Sequence, residues 1–250
     1  VYHSLERSVH KFSTIFRKCQ EYFLENFGRR IYKVCRFEVV LKRNDYDYFC
    51  LPWNKAMIGK ADLLEAIAGK NRGILANDAQ KQSILSAIAQ LEDRNPTPRP
   101  IEAVSLLDGD WRLIYTTSRG ILGIDQFPLL KLGQVYQCIR APEAKLYNIA
   151  EVIGVPFLEG IVSVAASFAP VSERRVSVKF ERSLLGLQRL IDYQSPAYFI
   201  EQIEAGKKFT AIDFNIDNRD QKGWLDVTYL DEDLRIGRGN EGSVFVLTKG

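Results

Sequence analysis

Two hydrophobic periods divide this chain. Between residues 60 and 95 apolar side chains recur at three or four positions, and beyond residue 108 they recur at every second one. The first period predicts a short amphipathic helix over Lys60 to Ala68, with Leu63, Leu64 and Ile67 on one side and stop signals at Gly69 and Gly73. A stronger helix follows Asn77. Asn77 is placed to cap it, Gln80 lies three residues on, and Ile84, Ile88 and Leu91 form the apolar stripe. Pro96, Pro98 and Pro100 then end helical structure and make a stiff connector, the clearest internal boundary in the chain.

After the connector the pattern is that of strands. In "GDWRLIYTTS" Trp111, Leu113 and Tyr115 face one way and Arg112, Ile114 and Thr116 the other. "GQVYQCIR", "KLYNIAEVIG", "GIVSVAASFAPV", "RRVSVKFERSLL", "YFIEQI" and "KFTAIDFNI" continue the series. Three short segments inside "GWLDVTYLDEDLRIGRGNEGSVFVLTKG" complete about eight or nine strands, with Gly, Pro, Asn or Asp at many junctions. No strand–helix–strand rhythm appears, which argues against a parallel sheet. An antiparallel sheet of this size must close or stack to protect its edges. The fold predicted is mainly β: an antiparallel β-barrel with short N-terminal α-helices at one mouth, a sandwich ranking second.

Composition changes the picture at the N-terminus. Residues 1–56 carry 11 Lys or Arg against 6 Asp or Glu, 12 of the 28 aromatic residues, three of the four cysteines and both histidines. Met57 is the single methionine. Three regions are therefore expected. Residues 1–56 are a basic, aromatic extension, either an arm touching a membrane or partner protein or sequence upstream of a true start at Met57. Residues 57–100 are a helical segment and connector packed on the barrel, and residues 101–250 are the barrel. The stretch 11–33 fits a helical period, with Phe12, Ile15, Phe16, Cys19, Phe23 and Phe27 recurring, and reads either as an interfacial helix or as a helix packed on the body. A formal charge of +3 is too small to imply a nucleic-acid partner. The longest apolar run, Ala150 to Ala169, is interrupted by Glu151, Gly154, Pro156 and Glu159 and reads as two strands and a turn, not a membrane span.

Candidate chemistry is sparse. From Met57 onward there is no histidine, which removes the usual general base of serine and cysteine hydrolases and the commonest transition-metal ligand. Cys138, alone in the body, reads as core. "GRGNEG" lacks the lysine and following helix of a phosphate loop and reads as a hairpin turn. Asp231, Glu232 and Asp233 most simply occupy a turn, where acidic side chains accept bonds from local backbone. Arg235 and Arg238 differ: alternation puts Leu234, Ile236 and Arg238 on one face and Asp233, Arg235 and Gly237 on the other. An arginine on a buried face needs partners. Whichever of Arg235 and Arg238 lies there is expected either to pair with Asp226 or Asp233 and close one end of a barrel, or to anchor a ligand head group; Arg235 and Asp233 are the pair expected in such a closure.

At this point the residues resemble a family. "SLLDGDWRLIYTTSRG" is similar to the opening signature of the PAP/fibrillin proteins, the plastid-lipid-associated family, with Leu107, Gly109, Trp111, Leu113, Tyr115, Thr116 and Thr117 matching in order. "YLDEDLRIGRGNEGSVFVLTK" resembles its closing motif through Tyr229, Asp231, Asp233, Arg235, Arg238 and Gly239, and "GQVYQCI" its middle strand. The resemblance covers about residues 60–250 and leaves 1–56 outside.

It implies a lipocalin-like β-barrel that binds lipids or isoprenoids without enzymatic chemistry: a carotenoid, a prenylquinone or a fatty acid, at thylakoid membranes or lipid droplets, in support of photoprotection. It implies no cofactor, no metal and no catalytic residues. A peripheral membrane or droplet surface is the expected partner, and a cyanobacterial source is favoured over a plastid one. The alternative is a scaffold that coats such surfaces and has no defined pocket. Trp111, Tyr115, Arg235 and Arg238 are the expected ligand-binding residues. Gly109, Asp231 and Asp233 are the expected structural ones.

Overall fold

The structure, a computed structural model, describes residues 55–123, 131–154, 156–216 and 222–250. Apart from its last two positions, the expected 1–56 extension lies outside these residues, as does its helical stretch at 11–33.

Helix α1 spans Lys55–Ile67 and helix α2 Asp78–Glu92. The cap read from the sequence is present: Asn77 accepts from the Gln80 amide at 2.9 Å, and the Gln80 side chain accepts from the Asn77 amide at 3.1 Å. The expected stripe of Ile84, Ile88 and Leu91 is buried. A short helix α3 (Val104–Leu107) leads into strand β1 (Gly109–Thr116), followed by a single turn α4 (Arg119–Leu122). Four long strands come next: β2 (Lys131–Arg140), β3 (Lys145–Ile153), β4 (Gly160–Pro170) and β5 (Arg175–Leu187). Two helices, α5 (Gln188–Ile191) and α6 (Pro196–Glu204), and a short strand β6 (Ile212–Asn215) interrupt the series. Strands β7 (Lys222–Leu230), β8 (Leu234–Gly239) and β9 (Val244–Lys249) complete the fold.

All strand pairings are antiparallel, and they close a ring. The order runs β4-β3-β2-β1-β9-β8-β7-β5, and a β4–β5 ladder joins the two ends into an eight-stranded barrel, with β6 attached to β5 outside the ring. Closure removes the edges that an open sheet would expose.

One predicted strand is a helix. "YFIEQI" lies in α6, where the Ser195 side chain accepts from the Tyr198 amide at 3.2 Å and Pro196 sits in the first turn. Phe199 and Ile200 are buried there against the outer face of the sheet, packed with Ile149, Ile161 and Leu184. The cap and the 199/200/203 apolar spacing override the β-favouring composition of the run.

A second difference comes from a β-bulge. The β1–β9 register shifts between Leu113 and Tyr115. An inserted residue turns the following side chains to the other face. Trp111 and Leu113 therefore belong to the cluster inside the barrel, while Tyr115 packs outside it with Leu63, Ile67 and Tyr229 under α1 and α2. A matching shift in β7 between Val227 and Tyr229 sends Val227 inward and Tyr229 outward. The single face that strict alternation predicts for Trp111 and Tyr115 is broken by one extra residue.

Candidate functional site

The interior cluster draws Trp111, Leu113, Val135, Ile139, Val176, Val178, Val227 and Leu247 from strands all round the ring. One end of this lumen is plugged. Ile101 and Leu107, from the segment before β1, belong to the same cluster, and the Trp111 indole N–H donates to the Leu107 carbonyl at 2.9 Å. The Lys249 ammonium donates to the Leu106 carbonyl at 3.0 Å and lies 5.2 Å from the centroid of the Trp111 ring. Gly109 opens the strand at φ +125°, where a side chain would be strained and a Cβ would stand 2.9 Å from Lys249 Cε. The Gly-x-Trp pairing in the opening motif thus shapes the plugged end.

Arg235 reaches into this lumen from β8. Its register partner is Leu247, which pairs in turn with Leu113, and both belong to the interior cluster. Its Nη2 donates to the side-chain carbonyl of Gln137 on β2. Strands β1 and β9 stand between β2 and β8 in the wall, so this bond crosses the lumen. The guanidinium lies 5.0 Å from the Trp111 ring centroid, a cation–π contact. Gln137 passes the chain on, donating to Asn148 Oδ1 on β3 at 3.0 Å. Arg235 is 1% exposed, and its Nε and Nη1 have no hydrogen-bond partner. Burial among apolar side chains pushes its pKa down to about 9. It is the one charged side chain among the buried described residues.

The wall opposite Arg235 carries Gln137 and Asn148 among apolar side chains. Trp111, Gln137, Asn148 and Val164 are register partners across β1 to β4 and therefore share the inward face. Gln137, Asn148 and Val164 are only half-buried, although they lie mid-strand and point inward.

Arg238 does different work. It faces outward with Leu234 and Ile236, as alternation predicts, and makes a two-point bond to Glu92 of α2 at 2.8 and 2.7 Å. Glu92 also accepts from the Thr228 hydroxyl at 2.6 Å. Asp231 accepts from Lys60 of α1 at 3.0 Å, from the Tyr229 hydroxyl at 2.7 Å, and from the Asp233 and Leu234 amides at 3.0 and 2.7 Å. Asp233 joins it on Lys60. Asp226 pairs with Arg175 at 2.6 Å. Neither acid that could have matched Arg235 does so: Asp226 and Asp233 are each committed to another cation.

Of the four residues expected to bind ligand, the structure brings Trp111 and Arg235 together inside the barrel and leaves Tyr115 and Arg238 outside. Two lumen residues escaped the sequence reading, Gln137 and Asn148. A Gln and an Asn in strands with apolar inward faces are the visible signal, but only register joins them. Cys138 is buried next door, and burial pushes its thiol far above the ordinary range, so it is held neutral. Among the described residues no cluster of His, Cys, Asp and Glu is placed to hold a metal ion, and no helix is long and apolar enough to cross a membrane.

The end of the barrel opposite the plug is rimmed with exposed apolar side chains. Ile153 ends β3, Phe157 and Leu158 lie in the β3–β4 connection, Leu190 in α5, and Ile212 and Phe214 in β6. Each is more than half exposed, and patches of this kind mark contact surfaces.

Comparison with known proteins gives a consistent picture. The PAP_fibrillin family profile matches residues 57–248. A "Light-induced protein, chloroplastic" from Solanum tuberosum is 32% identical over 217 residues, covering 76% of this chain and 66% of its own length. A "Chromoplast-specific carotenoid-associated protein, chromoplastic" from Cucumis sativus is 33% identical, over 76% and 67% of the two chains. A "Probable plastid-lipid-associated protein 2, chloroplastic" from Arabidopsis thaliana is 33% identical, over 76% and 70%. This chain thus spans about two thirds of the length of the curated relatives it matches. These relatives are plant proteins, so the matches are not specifically cyanobacterial. No solved structure matches significantly. The family is non-catalytic, which agrees with the reading of this chain as a non-enzyme. With its opening motif plugging the barrel, its closing motif fastening the helices, and the match running from residue 57 to 248, the chain belongs to the PAP_fibrillin family of plastid-lipid-associated proteins.

Proposed function

We propose that this chain is a non-enzymatic lipid-binding protein that holds one acyl or isoprenoid chain inside its barrel. The observation that carries this reading is the inward wall of β2 to β4, where Gln137, Asn148 and Val164 point into the lumen yet stay half-buried. Apolar pockets with a few convergent polar groups are the usual form of small-molecule sites. Trp111 and Arg235 are the ligand-facing residues in this reading. Tyr115 and Arg238 shape the wall from outside. The apolar rim around Phe157, Leu158 and Phe214 supports loading from a lipid surface, with the protein bound peripherally.

Relatives named for plastid lipid and for carotenoid association support a plastid-type lipid surface as the place of action. Thylakoid membranes or lipid droplets, a carotenoid, prenylquinone or fatty-acid ligand, a role in photoprotection and a cyanobacterial source are the finer parts of this proposal. So is the three-part organisation, with residues 1–56 as an extension, 57–100 as the helical cover and connector, and 101–250 as the barrel. The apolar rim also suits a second reading, a scaffold coating lipid surfaces without a ligand inside.

The test is a titration of the purified full chain with a carotenoid, a plastoquinone analogue and a long-chain fatty acid. Saturable one-to-one binding with the ligand recovered intact is the result expected. Firm adsorption to lipid vesicles without saturable binding of any of the three selects the scaffold.

A further inference from the structure

We propose that Arg235 anchors the carboxylate head group of a single long-chain acyl ligand at the plugged end of the barrel. This rests on the lumen-binding reading above and adds the chemistry of the head group. A guanidinium carries five N–H donors and a charge it keeps. Inside this lumen one side-chain carbonyl, that of Gln137, meets it through Nη2, while Nε and Nη1 have no hydrogen-bond partner. Such a group costs free energy unless something arrives to satisfy it.

Among the described residues no acid is paired with Arg235. Asp226 is held by Arg175, Asp231 and Asp233 by Lys60, and Glu92 by Arg238. All four of those pairs have partly exposed side chains, whereas Arg235 is 1% exposed. A cation kept dry and unmatched in an apolar barrel is matched to an anion that comes with an apolar body.

Donor geometry narrows the anion. Lys249, the register partner of Trp111, is taken up by the Leu106 carbonyl, so the open donors are those of the planar Arg235 fork. A carboxylate accepts charge-assisted bonds from guanidinium N–H groups in a planar geometry. Trp111 holds the guanidinium from one side, and the Gln137–Asn148 relay extends the polar patch toward the half-buried inner wall. The acyl chain then runs past Val164 toward the apolar rim.

The experiment compares oleate, oleyl alcohol and oleyl phosphate on the lipid-stripped full chain by calorimetric titration near pH 8. The three share a chain and differ in the head group. The expected result is oleate tighter than oleyl alcohol by about tenfold or more, the value of hydrogen bonds to a charged group. Oleyl phosphate should bind no tighter than oleate. Arg235→Met should reduce the oleate preference to about onefold while oleyl alcohol still binds, and Arg235→Lys should keep most of it. Equal affinity of the wild-type protein for oleate and the alcohol would overturn the head-group assignment and leave lumen binding standing. Tighter binding of oleyl phosphate would overturn the choice of carboxylate. Failure of every ligand to bind saturably would overturn the lumen reading and this inference with it. The wild-type comparison decides even if the Arg235 variants fold poorly.

Discussion

Two arginines three residues apart on β8 live in opposite electrostatic circumstances. Arg238 faces out, meets Glu92 in a two-point bond, and lies where water reaches it. Its pKa is raised by the Glu92 bond, with burial working against it. Arg235 faces in, meets one neutral carbonyl and an indole ring, and has its pKa pushed down by burial. The outer face of the strand is matched charge for charge. The inner face is left with a surplus. The charged residues of the closing motif thus divide into fasteners, paired with acids or cations in the chain, and Arg235, which meets no acid among the described residues and is the proposed ligand anchor.

The largest expected break in the inner region is Trp111→Ala. Trp111 is fully buried, seats the Arg235 guanidinium and bonds the plug, so its loss should cost about 3–5 kcal/mol by denaturant unfolding. Trp111→Phe keeps most of the packing and should cost far less, mainly the bond to Leu107, about 1 kcal/mol.

On the outer face Asp231→Ala comes next. It strips partners from Lys60, the Tyr229 hydroxyl and two amides at once, and should cost about 2–4 kcal/mol. Burial works against the Asp231 charge, but the bonds from Tyr229, Lys60 and the Asp233 amide outweigh it and hold the carboxyl below its ordinary range. A carboxyl lowered in the folded state lends stability above its unfolded pKa, near 3.9, and loses it as pH falls through the folded value. The stability gap between wild type and Asp231→Asn should therefore be full at pH 7 and shrink below about pH 4. A gap unchanged at pH 3 would contradict it.

Much of this architecture could be read from the residues, and the failures have physical causes. The capping box at Asn77 and Gln80, the connector prolines and most of the strands follow from local chemistry, which a sequence displays directly. The aromatic and β-branched content of "YFIEQI" suits a strand, but the cap that makes it helical sits upstream at Ser195. Alternation predicts one face for Trp111 and Tyr115 because a bulge leaves no local mark in "WRLIY". Alternation placed Arg235 and Arg238 on opposite faces correctly, yet which face was inside depended on ring closure. Gln137 and Asn148 stayed hidden because a cross-lumen bond between residues 98 apart is a property of the closed barrel alone.

Smallest of the expected effects is that of shortening the chain. The family match begins at residue 57, so a chain starting at Met57 should melt cooperatively within about 5 °C of the full one. A larger drop would tie residues 1–56 to the stability of the barrel.

The measurement that tests the comparison most directly is urea unfolding of lipid-stripped Arg235→Met and Arg238→Met side by side with wild type. Arg238→Met strands the largely buried Glu92 and should cost about 1–2 kcal/mol, a modest figure because water screens the pair. Arg235→Met removes a buried charge that meets no counter-ion among the described residues and should leave stability within about 0.5 kcal/mol of wild type or raise it. Opposite behaviour of the two arginines is the result predicted. An equal loss from both would mean that Arg235 is already matched within the folded chain, and would contradict its assignment as the lumen's ligand anchor.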